Sequence, residues 1–268
     1  HLMGTMSPGE TSGNRVIVWF SCGAASAIAA YLAIQKYGDR AVIVNCDTLS
    51  SEHPDNLRFF CDVEVWLKRS IVCIKSVKYD TVDDIFEARK YLGGIAGAPC
   101  TAELKKVPRF VFQQPDDIHI FGLTADEGKR ITTFTKNHPD LQFDWILQDQ
   151  GITKEHCFHI LKDVGIALPV MYKLGFANNN CIGCVKATSP HYWRLIRKHF
   201  PEAFARRSEQ SRRFGARLVR INGVRHFLDE LPEETQPSLW DVIEPVVEDI
   251  SCGPQCGPQY DIGAVIEA

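Results

Sequence analysis

The chain reads as an α/β protein built on a parallel β-sheet with helices on both faces. Three observations predict this. Short runs of β-branched and aromatic residues recur at 16–20, 41–45, 71–74 and 118–123. Segments with helical character separate them, and such alternation builds right-handed βαβ units. The runs are apolar almost throughout, which is the pattern of strands buried on both faces.

Val16-Ile17-Val18-Trp19-Phe20 is the first strand. The small-residue loop 21–26 (SCGAAS) follows at once, then an Ala-rich helix to about Lys36 that Gly38 ends. Ala41 to Asn45 gives the second strand, and Pro54 to about Arg69 a helix. Ile71 to Ile74 gives the third, and Thr81 to Lys90 another helix. Residues 93–99 (GGIAGAP) are too rich in Gly and Pro to hold regular structure. Residues 101–112 are expected to be helical despite Pro108, and Ile118 to Leu123 is the fourth strand, leading into a helix from about Asp126. In such sheets ligands bind beyond the carboxyl ends of the strands. Three polar segments fall there: 21–26, 46–53 and 122–130.

Beyond residue 140 the character changes. Helical segments at 154–164, 188–198 and 201–213 flank Cys181-x-x-Cys184, and Asn222-Gly223 between two apolar runs marks a hairpin over 218–227. The expected organisation is an expression scar without regular structure at 1–13, a nucleotide-binding α/β domain at 14–140, a helical cysteine-containing region with a hairpin at 141–228, and an extended acidic tail at 229–268.

The bulk numbers exclude little. With 268 residues, 45% hydrophobic and 24% charged, the chain can bury a sizeable core. A net charge of −3 gives no global signal for a polyanionic partner. No apolar run approaches the roughly 18–20 residues that span a bilayer, and no secretory leader pattern is seen, so a cytoplasmic protein without membrane contact is expected. Charge is split along the chain. Residues 194–225 hold ten Lys/Arg and two Asp/Glu, whereas residues 226–268 hold ten Asp/Glu and no Lys/Arg. This pattern reads either as two solvated faces that partly neutralise each other or as a basic surface for nucleic acid.

Ser21-Cys22-Gly23-Ala24-Ala25-Ser26 joins a strand to a helix. Small residues let backbone N–H groups approach a phosphate, and the helix N-terminus adds positive potential. Neither G-x-x-x-x-G-K-[ST] nor G-x-G-x-x-G follows the strand. The loop resembles the SGGxDS PP-loop of the adenine-nucleotide α-hydrolase-like superfamily, with Cys22 at its second position and Ala25 in place of Asp. The resemblance runs on in order. Asn45-Cys46-Asp47-Thr48 with Ser51-Glu52-His53-Pro54 resembles the family's second-strand motif, and Gly122-Leu123-Thr124-Ala125-Asp126-Glu127 with Arg130 resembles its G-x-R-x-x-[DE]-x-x-R stretch, with Thr124 for the first Arg. Phe143-Asp144-Trp145, Gly165-Ile166, Pro169, Tyr172, Gly175-Phe176 and Cys181-Ile182-Gly183-Cys184 resemble a run of phosphoadenosine-phosphosulfate reductase-like proteins. The match covers residues 16–187 and implies the PP-loop fold.

The resemblance also implies roles. Ser21, Cys22, Gly23 and Ser26, with Gly122, would hold the phosphate or sulfate of an adenine nucleotide: ATP, adenylyl sulfate or its 3′-phosphate. Asp47 would reach the ribose, the adenine or a metal. Arg130, with Lys105 or Lys106, would neutralise charge developing at the anhydride. Asp126 and Glu127 could bind a divalent cation such as Mg²⁺ or orient Arg130.

Ten cysteines in a long α/β chain argue for metal or redox chemistry over a disulfide scaffold. Cys181 and Cys184 can reach one metal centre from a tight turn, or form a redox dithiol. Pro99-Cys100 with Lys105-Lys106-Val107-Pro108 resembles the C-C-x-x-x-K-V-x-P segment of iron–sulfur adenylyl-sulfate reductases, with one Cys of two. Cys100, Cys181 and Cys184 are therefore expected to hold a 4Fe–4S cluster, with Cys256 or Cys252 as fourth ligand or one iron left open. Thiolates without a neighbouring His favour iron–sulfur over a mixed zinc site. Ser251-Cys252-Gly253 keeps part of the family's C-terminal E-C-G-x-H motif, so Cys252 is also the candidate nucleophile. The isolated Cys46, Cys61, Cys73 and Cys157 read as small core hydrophobes.

The expected function is an iron–sulfur enzyme of the phosphoadenosine-phosphosulfate reductase type, an oxidoreductase or sulfurtransferase using an adenine nucleotide. A thiol or electron-donor protein is the expected partner. ATP-dependent sulfur insertion into tRNA or DNA through 194–225 stays open, as does a non-catalytic nucleotide binder or a zinc-stabilised nucleic-acid-binding module.

Overall fold

The computed structural model describes residues 13–94 and 97–233. The expected scar up to residue 12 and the acidic tail from 234, with Cys252 and Cys256, lie outside the described residues.

Five parallel strands form the central sheet: β1 (Val16–Trp19), β2 (Ala41–Cys46), β3 (Val72–Ile74), β4 (Ile118–Phe121) and β5 (Gln142–Phe143), in the order β3-β2-β1-β4-β5. Val16 lies beside Ala41 on one side and Ile118 on the other. The chain builds outward from β1 in one direction and then returns to its other side. A topological switch point therefore falls between β1 and β4, where α/β sheets bind ligands. The α/β class and the first four strands stand where the sequence puts them. The fifth strand was not expected, because two residues, one of them Gln, carry no strand periodicity.

Alternation along β1 assigns its two faces. Val16 and Val18 join Phe20 in a core with α1 (Ala24–Tyr37), α2 (Asp55–Leu67) and α8 (Lys154–Asp163). Ile17 and Trp19 point the other way, with Phe112 and Phe121 packed against them. Phe112 ends α5 (Val107–Phe112). Before α5 come α4 (Pro99–Thr101) and a π-helical turn over Ala102–Lys106. Pro108 has no N–H to donate back along the helix, and a wider turn before it accommodates that loss. This turn carries Lys105 and Lys106.

A second core joins α3 (Val82–Arg89) and Leu104 to α9 (Val170–Lys173), α10 (Pro190–His199) and the β6–β7 hairpin (Val219–Ile221, Val224–His226). Its largest fully buried side chain is Trp193, whose Nε1 donates to Ala187 O at 2.9 Å. Helices α6 (Gly128–Asn137), α7 (Ile146–Asp149) and α11 (Pro201–Arg213) complete the described α-helices. Two cysteines depart from expectation: Cys61 and Cys73 are exposed, while Cys157 is buried. Cys73 sits on the sheet's edge strand, where one side has no neighbour. No described helix is long and apolar enough to cross a membrane.

Candidate active site

The loop after β1 is shaped from within. Ser26 is buried, and its hydroxyl accepts from Ser21 N–H at 3.1 Å and donates to Gly23 O at 2.9 Å. Its oxygen thus holds the loop closed, and the exposed hydroxyl of the pair is that of Ser21. Cys22 takes φ +56°, a left-handed conformation unusual for a residue with a Cβ, and is fully buried. Gly23 caps α1 without a side-chain bond. The loop after β4 closes on this one: a Cβ on Gly122 would stand 2.6 Å from Ser26 N and 2.7 Å from its Cα. Only glycine allows the two loops this approach.

Three buried asparagines, none given a role from the sequence, tie the β1 loop to the rest. Asn45 Nδ2 donates to Phe20 O at 2.8 Å. Asn179 Nδ2 donates to Cys22 O at 2.7 Å and to Asn56 Oδ1 at 2.8 Å. Asn56 in turn donates to Glu52 at 2.7 Å. Asn179 lies two residues before Cys181, so one side chain couples the β1 loop to the cysteine turn. Tyr172 adds a second tie. Burial pushes its pKa up to about 12, and the backbone at Ala24 and Asn179 works against that rise.

Asp47 follows the second strand directly, and its Oδ1 accepts from Leu49 N–H at 3.1 Å. The following loop meets the cysteine turn where Ile182 N–H donates to Ser51 O at 2.9 Å. On the β4 side, Glu127 is fully engaged. Its Oε2 accepts from Thr124 N–H at 2.9 Å, and its Oε1 holds Arg130 at 2.5 Å. The acidic pair thus divides: Glu127 caps the helix and orients Arg130, while Asp126 is exposed. Lys154 was also missed. Its ammonium donates to Asn178 Oδ1 at 2.7 Å and lies 5.6 Å from the Tyr172 ring centroid. Burial lowers its pKa, against the opposing pull of Glu127 and Asp126.

Cys100, Cys181 and Cys184 are half-buried and come from two segments, near enough for their charges to act on one another. Burial raises Cys100 to about 11, and Cys184 adds like charge. Burial also raises Cys181, with Glu52 opposing its ionisation and Lys105 favouring it. Lys105 favours ionisation of Cys22 in the same way, so its charge reaches both the β1 loop and the thiols. The turn itself is braced. Tyr192 Oη accepts from Cys184 N–H at 2.8 Å and donates to Cys181 O at 3.2 Å. Arg207, almost wholly buried, donates to Gly183 O at 3.2 Å and to Asp83 at 2.8 Å. Among the described residues no three His, Cys, Asp or Glu side chains close on a single metal position. A cleft of about 540 Å³, lined by Ser51, Glu52, Asp83, Ile182, Phe200 and Arg206 among others, opens beside the turn.

The site residues expected from sequence thus fall into two linked groups. Ser21, Cys22, Gly23, Ser26 and Gly122, with Asp126, Glu127 and Arg130, lie at the switch point between β1 and β4. Cys100, Cys181 and Cys184 lie beside the loop that follows Asp47, with Lys105 between the groups. A scan against protein-family models finds no match for this chain. A search of curated protein sequences finds none either.

Proposed function

We propose that the chain is a PP-loop enzyme of the phosphoadenosine-phosphosulfate reductase type, which binds an adenine nucleotide at the switch point and performs sulfur chemistry at the adjoining thiols. The observation that carries this reading is the Asn179 bridge, which joins the backbone of the β1 loop to the C-x-x-C turn. A packing turn of small residues has no need of such a bond to a cysteine loop.

In this reading the Ser21 hydroxyl and the backbone at Gly23 hold the anion, and Arg130, oriented by Glu127, faces the charge that develops on it. Lys105 neutralises charge between the nucleotide and the thiols. Reduction of adenylyl sulfate breaks the bond between the sulfur and its bridging phosphate oxygen. The sulfur takes two electrons from a thiol or protein donor, sulfite is released, and the nucleotide leaves as the monophosphate.

The donor set fits an iron–sulfur cluster in kind: three thiols whose charges act on one another, no imidazole among them, and Lys105, Lys186 and Arg207 placed to favour the ionised Cys100. Cys100, Cys181 and Cys184 would be the ligands, with the fourth position left to Cys256, Cys252 or an exogenous group. When bound, the cluster would supply electrons or a site for sulfur.

Reduction is favoured over transfer to nucleic acid because much of the basic stretch is spent internally. Arg206 and Arg207 pair with Asp83, Arg212 with Asp229 and Glu230, and Arg213 with Glu87.

The test is anaerobic purification, a visible spectrum, and iron and sulfide analysis, followed by calorimetric titration with adenylyl sulfate, its 3′-phosphate and ATP. A broad band near roughly 400 nm with about four iron and four sulfide per chain is expected. Cys181→Ser and Cys184→Ser should each strip it. A colourless chain that carries zinc, or retention of the full chromophore in both variants, overturns the cluster assignment. Absence of nucleotide binding overturns the PP-loop reading separately.

A further inference from the structure

The basic stretch 194–225 is not one surface. Besides the arginines held by carboxylates, Arg197 donates to Leu231 O at 2.9 Å and Pro232 O at 2.8 Å. Arg217, Arg220 and Arg225 are different. All three are exposed, and none makes an ion pair among the described residues. Arg220 and Arg225 stand directly opposite each other on the β6–β7 ladder, and hence on one face of the hairpin. Like charges in that register are destabilising unless an anion answers them. Arg225 reaches only the carbonyls of Arg217 and Leu218, at 3.5 and 3.3 Å. Arg217 lies 5.2 Å from the Phe227 ring centroid. The nearest acids along the chain are already taken: Asp229 and Glu230 by Arg212, and Glu230 also by His226.

Past Glu233 the chain runs on for 35 residues with seven Asp/Glu and no Lys or Arg. Its point of departure is fixed, because Leu231 is buried in the second core and Arg197 holds two carbonyls there. A segment tethered so near samples the hairpin at an effective concentration in roughly the millimolar range, ahead of a free polyanion.

We propose that the arginine face of β6–β7 is the docking surface for residues 241–249 of the chain's own tail, with Asp241, Glu244, Glu248 and Asp249 answering Arg217, Arg220 and Arg225. The placement has a consequence. Arg220 N–H donates to Thr188 O at 2.7 Å, so β6 lies along the loop that leaves Cys184. Cys252 follows Asp249 by three residues, a reach of about 10 Å when extended. Docking therefore holds Cys252 within about that distance of the arginine face. The proposal rests on charge and tethering alone, so it stands or fails separately from the adenine-nucleotide reading.

The test is amide hydrogen exchange on the full chain at low and high salt, with alkylation rates of Cys252 and Cys256 read by mass spectrometry. At low salt, 217–226 and 241–249 should be protected together and Cys252 should alkylate slowly. About 0.5 M salt should release both, since screening then acts within a few ångströms. Replacing Arg217, Arg220 and Arg225 by Gln should speed Cys252 alkylation roughly tenfold at low salt, the combined effect of three exposed ion pairs, and remove its salt dependence. Neutralising Asp241, Glu244, Glu248 and Asp249 should do the same. Unchanged melting temperatures and far-UV circular dichroism in both variants separate undocking from misfolding. Arg220→Glu and Arg225→Glu combined with Glu244→Lys and Glu248→Lys should restore slow alkylation. An unprotected tail at low salt overturns the proposal. So does a hairpin protected only when a DNA or RNA oligonucleotide is added, which would make it a nucleic-acid surface.

Discussion

Replacing Asn179 by Ala tests whether the β1 loop and the cysteine turn are one unit. Asn179 is only 7% exposed, and its amide makes two bonds, to Cys22 O at 2.7 Å and to Asn56 Oδ1 at 2.8 Å. Each bond is worth about 1 kcal/mol net, and a buried acceptor left without a donor costs about 1–3 kcal/mol. Offsetting this, Asn179 Oδ1 is buried without a partner, so its removal relieves some desolvation. The balance is a loss of about 2 kcal/mol. For a chain of this size that lowers Tm by about 4–8 °C. Asn179→Asp keeps the shape but sets a carboxylate against two acceptors, so it should cost more than Asn179→Ala. Urea unfolding with an unchanged m-value measures both. A loss below about 0.5 kcal/mol for Asn179→Ala, or Asp milder than Ala, refutes the argument.

Gly122→Ala drives a Cβ to within 2.7 Å of Ser26 backbone atoms that no side-chain motion can relieve. It should cost about 1–3 kcal/mol by overpacking and weaken nucleotide binding at the β1 loop. A thermal shift and a nucleotide titration read the two effects, and wild-type values in both would show that the loops do not meet. His119 gives a pH dependence. It is buried, accepts from Trp19 Nε1 at 3.1 Å, and burial lowers its pKa from 6.5 to about 4, with Arg109 adding to the effect. Above pH 6.5 the imidazole is neutral folded or unfolded, and its contribution is constant. As pH falls from 6.5 toward 4, only the unfolded chain takes up the proton, so stability falls by up to about 3 kcal/mol. His119→Gln, which can still accept from Trp19, should flatten that part of the pH profile. An unchanged slope between pH 6.5 and 4 would exclude His119 as its source.

The fold was legible where local and global preferences agree. The first four strands are apolar runs, and the hairpin carries its Asn-Gly turn; these features need no knowledge of distant residues. The fifth strand escaped because two residues at a sheet edge leave no pattern. The π-turn escaped for a related reason. Pro108 signals a disturbed helix, but whether the chain breaks, kinks or widens is decided by what the helix packs on. The exposure of Cys61 and Cys73 follows from the same limit, since composition marks Cys as a core residue while the outer face of α2 and the edge strand β3 override it.

The site divides along the same line. Its cysteines, loop glycines and loop serines are short-range signals, and an ordered resemblance across 16–187 could find them. The residues that couple its parts could not be found that way. Asn45, Asn56 and Asn179 are ordinary polar residues until burial obliges each amide to find a partner, and the partners lie up to 157 residues apart. The one sequence cue was Asn45, a polar residue closing an apolar strand. These bonds also constrain mechanism. Cys22 holds a left-handed backbone, and its carbonyl is fixed by Asn179. An anion that moves the β1 loop must carry that carbonyl with it, and through Asn179 the turn that presents Cys181. A ligand shifts such a unit only as far as it binds one arrangement more tightly than another. If the β1 loop binds a nucleotide as proposed, Cys181 should alkylate at a different rate when adenylyl sulfate or ATP is added, independent of turnover; an unchanged rate at a saturating nucleotide would refute the coupling.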